Sequence, residues 1–502
     1  MIGDLALYWF DPANVLGLAL LIPVIATVLI PLAGRSPNVR EGVTLISSAC
    51  LFTTIVILAH KVFMGAAPAL PALEVLPGLE IRFEVEPLGM LFAIIASTLW
   101  MANSCYSIGY MRSNNEPRQT PFYTCFAIAI FATLGIAFSA NLFTLFLFYE
   151  LLTISTYPLV AHKGDDKARM GARIYLLVLL LTSIGLLLPA ILWTFSIAGT
   201  LDFMPGGILE GKASPAMIGI LLALFMFGIG KAALMPFHVW LPTAMVAPTP
   251  VSALLHAVAV VKAGVFTVTK VIVYVFGVET LNAAGTGWWL LYAAGFTVLM
   301  ASVIALRQDN LKRRLAFSTV SQLSYVILAA AILTPISIVG AAMHIAAHAV
   351  SKITLFFAAG SVYTAAHVGE ISKMNGIGRR MPWTMGAFTV GAISMIGLPP
   401  TAGFLSKWFM LQGAMGTGQW VAVGVIVTST ILNTLYFMPI VFRAFFLPTP
   451  PEDGPDGLKP HGEAPWQIVL PLTLTAAGTI GLFLYPDIPL GLAEMMVERA
   501  VR

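Results

Sequence analysis

The sequence predicts an all-α polytopic membrane protein of about fourteen transmembrane helices, the seventh and twelfth broken, with two inverted five-helix repeats. Three observations carry that prediction. Charge is scarce along the whole chain, apolar runs of bilayer-spanning length follow one another, and proline interrupts two runs that each hold a lysine.

Of 502 residues, 58% are hydrophobic and 10% are charged. A soluble domain carries roughly 25% charged residues, so most of this chain has no water to face. A spanning helix needs roughly 20 mostly apolar residues. Such runs lie near 12–33, 43–63, 88–110, 121–139, 141–160, 172–197, 216–236, 251–276, 287–306, 315–334, 337–364, 382–412, 420–446 and 466–485, numbered helices 1 to 14 in that order. They are continuous, unlike the alternating segments of about ten residues in a β-barrel. A helix suits lipid because it closes its backbone hydrogen bonds internally. The first run is long and lacks a basic leader, so no cleavable signal peptide is expected.

Residues 1–120 hold helices 1–3, residues 121–276 helices 4–8, residues 287–446 helices 9–13, and residues 447–502 a loop and helix 14. The proline-rich, acidic stretch 447–465 reads as a linker, and no soluble domain is expected. Loops after helices 1, 3, 5, 9, 11 and 13 hold about fifteen lysines and arginines, among them Arg35, Arg112, Lys163, Lys312, Arg380 and Lys459. The opposite side holds about four: Arg82, Lys212, Arg499 and Arg502. The positive-inside rule then puts the basic loops in the cytoplasm of a bacterial inner membrane, with both termini and the acidic 74–86 segment outside.

A net charge of +4 spread over such loops is no nucleic-acid footprint. Gly230-Lys231 is not a phosphate loop, since Phe225 and Ala232 occupy the positions that need glycine and a hydroxyl residue. Cys50, Cys105 and Cys125 stand singly and read as small buried packing residues, not cluster ligands.

Charges inside the spans need a reason, because each costs about 2.5–3.5 kcal/mol at a helix centre on insertion scales. Glu150, in the middle of helix 5, is either a proton site or the neutraliser of a basic neighbour. Lys231 lies about fifteen residues into helix 7 and is followed by Pro236, too deep for easy snorkelling. Lys262 is equally central in helix 8. Lys270, two turns on, approaches the outer surface and is expected to snorkel. His256 is either a satisfied core histidine or a relay member.

His344, His348 and Lys352 fall at i, i+4 and i+8 on helix 11, a polar stripe that drifts by about 40° and suggests a hydrated path. His344 and His348 are alternatively a metal or haem pair. The sequence lacks the HExxH glutamate and a nearby cysteine or carboxylate, so no metal or cofactor is assigned. In helix 12, Gly397-Leu398-Pro399-Pro400 breaks the hydrogen-bond ladder. That break lets Lys407 reach the bundle interior beside unwound backbone. Helices 7 and 12 run in opposite directions. The proline follows the lysine in one and precedes it in the other, as an inverted repeat of helices 4–8 and 9–13 would leave it.

Five stretches carry a family resemblance along nearly the whole chain. They are FYELLTIS with Glu150; GKAALMPFHVWLPTAMVAPTPVSALLHAVAVVKAGV with Lys231, His256 and Lys262; LAFSTVSQLSYV at 315–326; HAVSKITLFFAAG with His348 and Lys352; and GLPPTAGFLSKW with Lys407. The chain resembles the antiporter-type subunits shared by complex I and Mrp cation/proton antiporters. The resemblance implies fourteen helices, inverted repeats, broken helices 7 and 12 and a central hydrophilic axis. It points to the D-type Mrp subunit, because Lys407 stands where the nearest complex I counterpart has a glutamate and the chain stops after helix 14. Trp408 follows Lys407 where many relatives place an acid. Lys407 therefore lacks a local carboxylate, which another protein of the complex could supply.

The expected function is proton translocation along Glu150, Lys231, His256, Lys262, His344, His348, Lys352 and Lys407, with water in the gaps. Expected partners are the other subunits of an antiporter or respiratory complex, Na+ or K+, and the bilayer. Glu150 is expected to pair with Lys231. At an effective dielectric near 20, stretching that pair from about 4 to about 10 Å loses roughly 2.5 kcal/mol, almost two pK units. The alternatives are a pump subunit of complex I or a membrane hydrogenase, a quinone- or haem-binding redox subunit, and a passive scaffold.

Overall fold

Helices begin where a start signal precedes an apolar run. Prolines open the helices Pro12–Leu32, Pro37–Phe63, Pro87–Ser113, Pro215–Gly228, Pro335–Ala366 and Pro382–Ile396, where the missing N–H would have had no partner anyway. Asn141 caps Leu142–Val160 and Asn310 caps Leu311–Ala331 through their side-chain oxygens. Thr334 and Ser337 form a reciprocal capping box on Pro335–Ala366.

The computed structural model describes residues 11–449 and 462–500. Lys459, Arg502 and most of the 447–465 linker lie outside the described residues. The chain is a multi-pass helical membrane protein. Among the described residues, twelve helices are long and apolar enough to cross a membrane. The other two expected spans are the interrupted ones: Pro215–Gly228 followed by a short turn, and Pro382–Ile396 followed by Ala402–Gly416.

Helices 8 (Thr249–Phe276), 10 (Leu311–Ala331) and 11 (Pro335–Ala366) form the buried centre of the bundle. Helices 1, 2, 13 and 14 form its perimeter, where Leu21, Val28, Ile46, Ile431 and Leu474 are exposed. An exposed apolar belt of that extent needs lipid. The acidic 74–86 segment contains an antiparallel hairpin of Leu73–Leu76 and Leu79–Ile81. A further helix, Asp487–Ala500, follows helix 14 and is not among the expected elements.

Three expectations change. Helix 7 breaks before its lysine, not after it: the helix ends at Gly228, and Lys231 sits in the turn Gly230–Ala232. Tertiary partners hold that break open. Trp240 Nε1 donates to the Gly230 carbonyl (3.0 Å), and the Lys231 and Met235 amides donate to Tyr149 Oη (3.1 Å) and Thr297 Oγ1 (3.3 Å). Lys270 does not snorkel; it is 1% exposed and its Nζ lies 2.7 Å from Glu86 Oε1. Phe203 and the loop that carries it fold over Lys270, so nearness to a helix end does not mean nearness to water. Cys50 is exposed, and Cys105 and Cys125 are half-buried, because an apolar run in a membrane does not reveal which of its faces meets lipid.

Candidate functional site

Each deep charge is placed by an irregularity in its own helix or in a neighbour. Helix 8 contains two π-turns, Leu254–Val258 and Ile272–Phe276, and His256 lies inside the first. Such bulges often mark functional positions. The turn, with the kink at Ala259 that follows it, also breaks the regular 100° spacing between His256 and Lys262. Gly264 brings helix 8 against the helix 7 break: a Cβ there would overlap the Lys231 carbonyl and the Ala232 nitrogen. Gly397, at φ +91°, lets the Lys407 side chain pass directly over the helix 12 break.

Lys231 is fully buried. Its Nζ donates to the Tyr149 carbonyl (2.8 Å) and to Thr153 Oγ1 (2.6 Å) and lies 3.1 Å from the centre of the Tyr149 ring. The expected ion pair with Glu150 is not formed, and both Glu150 carboxylate oxygens are buried without a hydrogen bond. The helix periodicity explains this. Tyr149 and Thr153 are one turn apart and share a face, and Glu150 points about 100° away from Tyr149.

Lys262 meets His348 across the helix 8–helix 11 interface, Nζ to Nδ1 at 2.7 Å. On helix 11, His344 and His348 are both buried, with ring centres 6.1 Å apart. His344 uses both nitrogens, Nδ1 with Ser406 Oγ (2.8 Å) and Nε2 with Gln322 Oε1 (3.0 Å), which leaves it no free nitrogen for a metal. His348 Nε2 and both nitrogens of His256 are buried and unpartnered. Buried polar atoms of that kind are the sites that ordered water satisfies.

Lys352 Nζ donates to Ser318 Oγ (2.9 Å). Ser318 Oγ also meets Tyr436 Oη (3.1 Å), and Tyr436 Oη meets Asn433 Oδ1. Asn433 Nδ2 donates to the Met395 carbonyl (3.2 Å), which also accepts from Lys407 Nζ (3.0 Å). An unbroken hydrogen-bonded path therefore joins Lys352 to Lys407. Lys407 also donates to the Ile396 carbonyl (2.8 Å). Both carbonyls belong to the last turn of Pro382–Ile396, where helix carbonyls are free and the helix dipole is negative. The broken helix thus supplies within this chain the negative partner that sequence leaves missing at Trp408.

The structure brings Lys262 to His348, His344 to helices 10 and 12, and Lys352 to Lys407. It leaves Glu150 beyond salt-bridge distance of Lys231 although within electrostatic reach of it, and His256 without a hydrogen-bonding partner. Sequence reasoning missed Tyr149, Thr153, Ser318, Gln322, Asn433 and Tyr436. Gln322 and Asn433 were detectable by the rule used for the charges, since an amide deep in an apolar span also needs partners. Tyr149 and Ser318 carried no such signal.

Residues 139–433 match the NADH:quinone oxidoreductase/Mrp antiporter transmembrane family. Among curated relatives, the N subunit of the NADH-quinone oxidoreductase of Desulforudis audaxviator (strain MP104C) is 31% identical over 81% of this chain and 82% of its own length. The A-type protein of the Na(+)/H(+) antiporter of Alkalihalophilus pseudofirmus is 31% identical over 85% of this chain; the chain spans 55% of that protein. Among solved structures, a chain of the Mrp complex from Dietzia sp. DQ12-45-1b superposes with a TM-score of 0.85 at 20% identity, covering 98% of this chain and 97% of that one. A chain of the membrane-bound sulfane sulfur reductase, an archaeal respiratory membrane complex, also gives 0.85, at 23% identity and covering 97% and 98%. At those identities the two structures establish the fold.

Proposed function

The chain belongs to the family that unites membrane subunits of NADH:quinone oxidoreductase and of Mrp antiporters, and from that premise we propose that it moves protons as the D-type component of a multisubunit Na+(K+)/H+ antiporter. The carrying observation is the buried polar axis. Lysines, histidines, amides and hydroxyls on helices 5, 7, 8, 10, 11, 12 and 13 face one another inside an otherwise apolar bundle. A scaffold would have no use for so many polar groups at a cost of a few kcal/mol each.

The relay runs from Glu150 and Lys231 by way of His256 to Lys262, on to His348, His344 and Lys352, and ends at Lys407. Lys231 rests on Tyr149 and Thr153, with Glu150 acting on it from beyond salt-bridge distance, which is the open arm of the switch. Closing the pair would hold the proton on Lys231, and opening it would release the proton towards helix 8. Water bridges the unpartnered nitrogens of His256 and His348. The segments 121–276 and 287–446 act as inverted repeats, each with one interrupted helix and one lysine at its break. The work comes from an ion gradient, about 2.3 kcal/mol per charge against 100 mV. The bilayer is a bacterial inner membrane, with the basic loops inside and the termini outside.

The test is ΔpH-linked cation exchange in vesicles. Lys231→Ala should abolish it while assembly persists, and full activity in that variant would overturn the relay. A second reading, a pump subunit of a redox-driven complex, is favoured by the coverage of the quinone oxidoreductase relative. Co-purifying proteins separate the two: small antiporter partners in one case, iron–sulfur and flavin subunits in the other.

A further inference from the structure

Lys270 is among the buried charges that the relay leaves unused. At the hairpin end of the bundle, Lys270 Nζ lies 2.7 Å from Glu86 Oε1 and 2.6 Å from the Ser139 carbonyl oxygen, to which it donates. The Phe203 ring covers it at 4.3 Å. One turn on, in the second π-turn of helix 8, Tyr274 is 4% exposed and its buried hydroxyl faces the Glu86 carboxylate. These groups border a cavity of about 90 Å³ that Glu84 and Arg499 also line, room for roughly three waters at about 30 Å³ each.

Glu86 is the nearest counter-charge of the ammonium, and Glu84 acts on it more weakly. Arg82 lies 3.7 Å from both Glu84 and Asp202, so those two carboxylates have a cation of their own. Arg499 is the remaining cation on the cavity wall. Here a carboxylate and a peptide carbonyl hold one monovalent charge, and a phenol that faces the same carboxylate lines the adjoining cavity. That is an all-oxygen set of the kind hard cations take, currently filled by a tethered ammonium.

We propose that Glu86, the Ser139 carbonyl and the Tyr274 hydroxyl form a monovalent-cation site for which the Lys270 ammonium and a free Na+ or K+ compete. When the ammonium gives its proton to cavity water, Lys270 becomes a neutral amine and one cation takes its place beside Glu86. One proton leaves for each cation bound, so the charge of the site does not change. The reverse step reloads the proton and expels the cation. This deepens the antiporter reading, on which it rests, by assigning the cation side of the exchange to residues outside the proton relay.

Cation binding to the full chain, purified with its partner proteins, tests the assignment. Thermal unfolding is followed in NaCl, KCl or choline chloride at equal ionic strength across neutral to alkaline pH. NaCl or KCl should raise the midpoint above choline at alkaline pH. The apparent Kd should fall by about tenfold for each pH unit while proton and cation compete. Glu86→Gln should remove the stabilisation, and Lys270→Gln should keep it but lose its pH dependence. Tyr274→Phe, which leaves the ion pair intact, should weaken cation affinity and guards against a Lys270 variant that does not fold. Equal midpoints in all three salts, an unchanged Kd in Tyr274→Phe, or wild-type stabilisation in Glu86→Gln would each overturn the site and leave a structural ion pair. Lys231→Ala should bind cation normally although it no longer transports, so failure of the relay and failure of this site are separately visible.

Discussion

Replacing Thr153 with valine removes one oxygen from the Lys231 ammonium and little else. Thr153 Oγ1 accepts from Lys231 Nζ at 2.6 Å, and the Tyr149 carbonyl at 2.8 Å is the other acceptor. Valine keeps the branched shape but cannot accept. A hydrogen bond to a charged group contributes about 1.5–3 kcal/mol. The charged lysine loses that stabilisation and the neutral amine loses little of it, so the proton leaves at lower pH. At 1.36 kcal/mol per unit, the alkaline limb of the transport profile should move down by about one to two pH units. Dye-monitored ΔpH collapse on adding Na+ or K+ to proteoliposomes, recorded from about pH 6 to about pH 10, covers the ordinary range of a shifted lysine. Thr156→Val is the control, because Thr156 Oγ1 meets Tyr175 Oη (2.6 Å) and not the lysine. Its profile should stay in place. A Thr153→Val profile that coincides with wild type, at wild-type rate, would mean that Lys231 does not carry the transported proton.

Three further outcomes follow from the same geometry. Asn433→Leu cuts the path between Lys352 and Lys407 and should slow transport by at least about tenfold, a barrier increase near 1.4 kcal/mol, read as initial ΔpH rates, while the complex still assembles. Gly264→Ala drives a methyl into the Lys231 carbonyl; overpacking of this kind costs about 1–3 kcal/mol, visible as a lower unfolding midpoint in detergent. His162, in the loop after helix 5, has its pKa pushed down to about 4 by burial and by Arg118. It is neutral when folded and binds a proton more readily once unfolded, so stability should fall as pH drops from about 6.5 to about 4. His162→Gln should flatten that acid limb, and an unchanged limb would show that another group governs it.

The helices themselves were legible because each is set by local information. A run of apolar residues with a proline or a capping side chain at its start needs no distant partner to declare itself, and lipid leaves the backbone few other options. The deep charges were legible for a related reason: a lysine such as Lys231 or Lys262 is costly in lipid wherever the chain goes afterwards. The pattern of helix 12 even located its break, since Pro399 and Pro400 act on their own helix.

What the charges face was not local, and only the folded bundle decided it. Lys262 and His348 are 86 residues apart, and Lys231 and Thr153 are 78 apart. Helix 7 breaks before Lys231 because Trp240, Tyr149 and Thr297 take its freed backbone groups, a fact that no window of sequence contains. Lys270 looked like a residue reaching for water and is instead buried on Glu86, because the loop around residues 203–208 closes over the end of helix 8. Lys407 lacked an acid in sequence and gained the carbonyl end of its own broken helix. Sequence therefore determined which residues must be explained, through the cost of burying each one. Tertiary structure decided the explanation, because the partner of a buried charge is whatever the packing of distant helices brings within hydrogen-bond reach.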